Sequence, residues 1–230
     1  MPTHTVALVG AAGGAGTTRL TLEFGATLAR AGRDVALLDA AYATQGLGDY
    51  VEGRLDPDIT AVVADDASLD DGLVDVPLDA PGSLVCAPAD APFERLARAK
   101  TAGAAEQLEK HVAAAALSHD AVLVDTPAVA SNQAVAAVNA TERTVVVTPD
   151  TTRGGDALAA VRGRIADVGA SVHGVVANFA GEAAVIGEAD ARVPTAEVTD
   201  PAACPAVVSP DDTFAPAVAE ATEATLGIEL

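Results

Sequence analysis

Short apolar stretches alternate along this chain with longer ones in which apolar residues recur every three or four positions. Residues 5–9 are an apolar run that stops at Gly10, which predicts a buried strand. Residues 35–38, 83–86, 121–124, 144–148 and 172–176 repeat the pattern and predict five more strands. Between the first two, residues 18–31 set Leu20, Phe24, Leu28 and Ala31 at helical spacing, with Gly32 placed to end the helix in a left-handed conformation. Residues 92–117 read as one long helix with Pro92 in its first turn, residues 154–168 as another, and residues 214–226 as the last. The acidic stretch 65–79 reads as a solvated helix and loop. Strands that are apolar throughout and joined by helices bury both faces of a parallel sheet. The expectation is a single α/β domain over residues 1–230, a mainly parallel sheet with helices on both faces. The pattern contains no internal repeat and no low-complexity linker.

Composition changes what surrounds that core. The chain has 33 acidic and 13 basic residues, a net charge of -20, two lysines (Lys100 and Lys110) and 3% aromatics. An acidic, lysine-poor surface suits multimolar salt, where the Debye length falls to roughly 3 Å and self-repulsion is screened. A halophilic origin is expected. The same charge gives no general attraction for DNA or anionic lipid, so neither direct nucleic-acid nor direct membrane binding is expected. Residues 217–230 carry Glu220, Glu223 and Glu229 and no lysine or arginine, which disfavours a lipid-inserting helix there. No apolar run approaches the roughly 20 residues of a membrane span, and residues 1–5 do not open a secretory leader. A cytoplasmic location is expected. Cys86 and Cys204 read as free thiols. His4, His111, His119 and His173 lack metal-site spacing.

The chemistry concentrates in Val9-Gly10-Ala11-Ala12-Gly13-Gly14-Ala15-Gly16-Thr17-Thr18-Arg19. A strand, a glycine loop and a helix follow in the order a phosphate cradle needs. Glycines let backbone N–H groups approach phosphate oxygens, and the helix N-terminus favours the anion. The turn is similar to that of short-chain dehydrogenases, and an NAD(P)-binding Rossmann protein is one reading. That family uses a Tyr-x-x-x-Lys pair, and neither Tyr42 nor Tyr50 has a lysine four residues on. The other reading is the ParA/MinD group of P-loop NTPases, whose loop is G-K-G-G-x-G-K-T-T. Residues 11–39 fall on that pattern without insertion or deletion. Further on, residues 120–128 resemble the group's switch II strand, residues 144–150 the next strand, Val175-Val176-Ala177-Asn178 the strand that ends beside adenine, and residues 84–89 the strand after switch I. The resemblance spans nearly the whole chain.

The resemblance implies a P-loop NTPase-like three-layer sandwich, ATP or ADP with Mg2+ as cofactors, a homodimer and a protein partner. It implies nucleotide contacts from Gly13, Gly14, Ala15, Gly16, Thr17, Thr18, Arg19 and Asn178, and magnesium contacts from Thr18, Asp39 and Asp125. The departures from the pattern bear on catalysis. Ala12 and Thr17 stand where the group has its two lysines, Ala41 where it has a second switch I aspartate, and Val129 where it has a glycine. A charge-assisted hydrogen bond contributes about 1.5–3 kcal/mol, so two lost lysines weaken phosphate binding by about 3–6 kcal/mol. Micromolar affinity then becomes millimolar or weaker. No catalytic residue is assigned. The resemblance leaves a regulatory pseudo-ATPase beside a partition or positioning ATPase with an altered site. Arg19 is expected on the solvated surface of its helix, with a surrogate phosphate cation as the alternative.

Overall fold

The computed structural model describes residues 3–53, 55–208 and 213–230. The chain enters through β1 (His4–Gly10), whose residues 5–10 are all buried. It turns through the glycine loop into α1 (Thr17–Arg30). Leu20, Phe24 and Leu28 bury one face of this helix, as their spacing predicts. Gly32, at φ 84, ends it. Its N–H reaches the Ala29 carbonyl while that of Arg33 reaches Leu28, the two hydrogen bonds of a Schellman motif.

β2 (Val35–Asp39) follows, then a 3-10 turn (Gly46–Tyr50), the short helices α2 (Ile59–Ala64) and α3 (Leu69–Gly72), β3 (Val74–Asp75) and β4 (Leu84–Ala87). The helix expected over residues 92–117 is two helices, α4 (Phe93–Ala99) and α5 (Ala102–Ala115). The break has a local cause. The Thr101 hydroxyl accepts from the Ala104 N–H and donates to the Arg98 carbonyl, so it caps a new helix instead of continuing the old one. After β5 (Ala121–Thr126) come α6 (Asn132–Asn139), β6 (Arg143–Pro149), α7 (Thr152–Asp167), β7 (Gly174–Asn178), β8 (Ala191–Val193) and α8 (Phe214–Leu226). The sixth expected strand thus lies two residues later than its apolar run suggested. The pattern did not indicate α6 or β8, which are short.

The strands form one eight-stranded sheet in the order β3-β4-β2-β5-β1-β6-β7-β8. All pairings are parallel except that of β3, an antiparallel edge strand. Val6 and Leu8 face Leu22 and Phe24 of α1 and Val218 of α8. Ala7 and Val9 face the opposite layer, with Leu158 and Val161 of α7. Leu38 and Val124 meet Leu108 and Val112 of α5 on that same side. The result is a three-layer α/β sandwich of the P-loop NTPase type. β1 lies between β5 and β6, not beside β2. That order differs from the 3-2-1-4-5-6 arrangement of a dinucleotide-binding fold, which removes the Rossmann reading. Among the described residues, no helix is long and apolar enough to cross a membrane.

Candidate nucleotide site

At the carboxyl edge of the sheet the loops after β1, β2 and β5 converge. The glycine loop is pinned from within and from both sides. The Ala11 N–H donates to Val147 O of β6, and the Ala15 N–H to Ala12 O. The Asn178 amide, at the end of β7, donates to Ala15 O at 2.9 Å. Gly16, at φ 81, sits at the N-cap of α1. A Cβ there would collide with the Asn178 amide and approach the Phe179 ring to 3.0 Å. Only glycine satisfies both that backbone and that packing. Among the described residues no side chain caps the first turn of α1, and no acidic residue lies in it. Its N–H groups and the helix dipole are therefore available to an anion.

Beside the loop, Thr18 Oγ1 donates to Asp125 Oδ2 at 2.7 Å. Asp125 of β5 is in register with Asp39 of β2. Asp39 accepts from the Ala41 N–H at 2.7 Å and the Ala89 N–H at 3.2 Å. Both carboxylates are fully buried. Burial, and then the Asp125 charge, pushes the Asp39 carboxyl up to about 8. Burial raises Asp125 to about 6, against the opposing pull of the Thr18 hydroxyl. Two buried carboxyls in register, one raised by the charge of the other, with a hydroxyl hydrogen-bonded to Asp125, form an all-oxygen donor set. A hard divalent cation such as Mg2+ would relieve their repulsion. The donor set fits the metal that the resemblance implied.

A cavity of about 480 Å³ joins the loop to Thr18 and Asp125, lined by the loop, Ala41, Thr44, Tyr50 and residues 125–128; Asp39, fully buried, is not among its lining residues. Thr17, Thr18 and Arg19 reach it from α1, so the phosphate-side residues named from the sequence meet in one place. Asn178 does not line the cavity; it stands behind the loop and holds it. Ala12 is exposed, and Ala41 and Val129 are buried. Val129 packs with Val9 in the apolar layer, where a glycine would leave a gap.

Arg19 differs from its expected solvated position. Its side chain is only 16% exposed and its Nε lies 2.5 Å from Glu23 Oε1. Glu23 is itself fully buried and accepts from the Ala206 and Val207 N–H groups at 2.8 and 3.0 Å. The guanidinium lies 6.0 Å from the Tyr50 ring centre, in cation–π range. One turn of α1 therefore joins the cavity to the 3-10 turn after β2 and to the segment before α8. No motif in the sequence singles out Glu23. Its signal was a single carboxylate in the run Thr21-Leu22-Glu23-Phe24, four residues after an arginine.

The fold so defined is that of the ParA/MinD-like P-loop NTPases. The chain superposes on the MinC:MinD cell division protein complex of Aquifex aeolicus with a TM-score of 0.80, at 21% identity over 99% of this chain and 97% of that one. The septum site-determining protein MinD of Pyrococcus horikoshii OT3, complexed with Mg-ADP, gives 0.77 at 22% identity over 96% and 95%. A ParA family ATPase from Chlorobium tepidum TLS gives 0.74 at 16% over 94% and 97%. No family model and no curated protein matches the chain by sequence.

Proposed function

We propose that this chain is a ParA/MinD-like nucleotide-binding protein that hydrolyses ATP slowly or not at all and works as a regulatory or positioning switch. One observation carries the reading. The glycine cradle and the Thr18, Asp125 and Asp39 oxygens are in place, while among the described residues the cavity is lined by no lysine and by one cation, Arg19, which is tied to Glu23. Phosphoryl transfer is catalysed mainly by positioned charge. Binding needs less, because backbone donors and a metal ion still hold a phosphate. The Mg-ADP bound by the Pyrococcus horikoshii protein supports the same ligand class here. Thr18, Asp39 and Asp125 would hold the magnesium, which would neutralise phosphate charge. Gly13, Gly14, Ala15, Gly16 and Thr17 would cradle the phosphates.

A homodimer and a protein partner belong to this reading, supported by the partnered MinD of Aquifex aeolicus. The segments 10–18, 40–48 and 126–128, each of which contributes lining residues to the cavity, contain no charged residue, although the chain carries -20. Two such rims can meet without the repulsion that acts between the rest of the surfaces. The protein acts as one domain, in the cytoplasm of a halophile, without direct contact to DNA or lipid. The test is ATP turnover at molar potassium chloride with Mg2+, beside ADP titration and an Asp125→Ala control. The expected result is measurable ADP binding that Asp125→Ala weakens, with negligible turnover. Turnover at rates ordinary for ParA/MinD ATPases, abolished by Asp125→Ala, would overturn the pseudo-ATPase reading.

A further inference from the structure

We propose that the Gln45 side chain is a ligand-sensitive clasp, which binding at Thr18 opens and which then frees the segment leading into α4; this device rests on the nucleotide reading above. Residues 40–50 follow β2 and residues 88–92 follow β4, and two points join them. At one end the Asp39 carboxyl accepts from the Ala41 N–H through one oxygen and from the Ala89 N–H through the other. At the other end the Gln45 amide spans both backbones. Its Nε2 donates to Ala91 O at 3.1 Å, and its Oε1 accepts from the Ala91 N–H at 3.3 Å. These are long bonds between neutral groups, reached from a loop, so this join is the one that can open at small cost.

The closed clasp is held under load. Gln45 sits at φ 53, a left-handed conformation uncommon for a residue other than glycine. The next residue, Gly46, lies directly on Thr18. A Cβ on Gly46 would come within 3.2 Å of the Thr18 methyl and 3.4 Å of Thr18 Oγ1. A cation held by that hydroxyl brings a shell of further oxygens, and Gly46 fills part of the space they need. Such a ligand favours the form in which Gly46 has moved off Thr18, and it shifts the population toward it. Gln45 moves with its neighbour, leaves its left-handed conformation and lets go of Ala91.

The released segment belongs to a larger unit. Asp58, buried at the N-cap of α2, accepts from the Asp90 N–H at 2.7 Å and pairs with Arg95 of α4 at 3.1 Å. The Ile59 N–H of α2 donates to Pro88 O. Residues 88–95 and the start of α2 are therefore bound to one another, and they carry the largely exposed Phe93. Gln45 is not among the residues lining the cavity, so it answers to the ligand through Gly46 and touches no part of it.

The test is amide hydrogen exchange of the full chain at molar potassium chloride, read over residues 88–95 with and without Mg-ADP, beside calorimetric titration of the same samples. In the wild type, Mg-ADP should speed exchange of the Ala91 N–H. In Gln45→Ala that exchange should be fast already, and Mg-ADP should not alter it. The variant should also bind Mg-ADP roughly two- to tenfold more tightly, because the ligand no longer has to open the clasp. A purely structural Gln45 would leave the affinity unchanged or lower it, and either result would overturn the clasp. Exchange over residues 88–95 that ignores Mg-ADP in the wild type, while calorimetry shows binding, overturns it too and leaves the nucleotide reading standing; this measurement needs no variant to fold. If calorimetry shows no Mg-ADP binding to the wild type, the nucleotide reading itself fails, and the clasp with it.

Discussion

Restoring one lysine to the glycine loop should separate binding from stability. In Thr17→Lys the new side chain starts from a residue that is 9% exposed and lines the cavity. Thr17 Oγ1 stands 2.7 Å from where a Cβ on Gly10 would lie, so the side chain leaves the helix toward the enclosed end of the loop. A cavity of about 480 Å³ leaves room for a lysine stem. Without ligand, the ammonium sits at the first residue of α1, where the helix dipole opposes it by about 0.3–1 kcal/mol. For a domain of this size that lowers the Tm by about 1–4 °C. With ligand, a charge-assisted hydrogen bond to phosphate contributes about 1.5–3 kcal/mol and outweighs the dipole. ADP affinity should rise roughly ten- to a hundredfold. Titration calorimetry and thermal melts with and without Mg-ADP measure both effects. The variant should melt lower than the parent when empty and higher when saturated, because tighter binding to the native state raises its apparent stability. Unchanged ADP affinity would mean that residue 17 does not face the phosphate and that the alignment of the loop is wrong.

Two further predictions follow from the buried carboxyls and the loop. Burial and the Asp125 charge raise Asp39 to about 8, well above the roughly 3.9 of an unfolded aspartate, so the native state holds this proton more tightly. The resulting stability is fully present below about pH 4 and is lost as pH rises through about 8. The Tm of metal-free protein should fall across that window and Asp39→Asn should flatten the fall; a wild-type profile that is level from pH 5 to 8 refutes it. In the loop, Gly16→Ala forces a side chain into a φ of 81 and against Asn178 and Phe179, at a cost of order 1–3 kcal/mol. Gly13→Ala meets nothing within 4 Å and should melt within about 1 °C of wild type. Equal melting temperatures for the two variants would contradict this account of the loop.

The apolar runs and the helical spacings were enough to place most strands, α1, α7, α8 and the glycine turn, because burial imposes its period on the chain locally. Gly32 ended α1 as its position suggested, since a left-handed cap is a local requirement. The break at Thr101 was also local. It was missed because a threonine in a helical pattern reads equally as interior or cap until its hydroxyl has chosen a partner. In the candidate site, the phosphate-side residues were legible as a motif. Their meeting with Asp125 followed only from the family resemblance and from no local pattern, because the Thr18–Asp125 hydrogen bond joins residues 107 apart in the chain. That contact, and the exclusion of a dinucleotide fold, depend on β1 lying between β5 and β6, an order no periodicity encodes. Arg19 illustrates the limit most clearly. From helical spacing alone it faced solvent, but the chain returns over α1 at residues 206–207, buries Glu23 against their N–H groups, and draws the guanidinium in with it. Local sequence set which residues could be buried. The path of the chain decided which partners they found, because contacts between distant segments exist only once the layers are assembled.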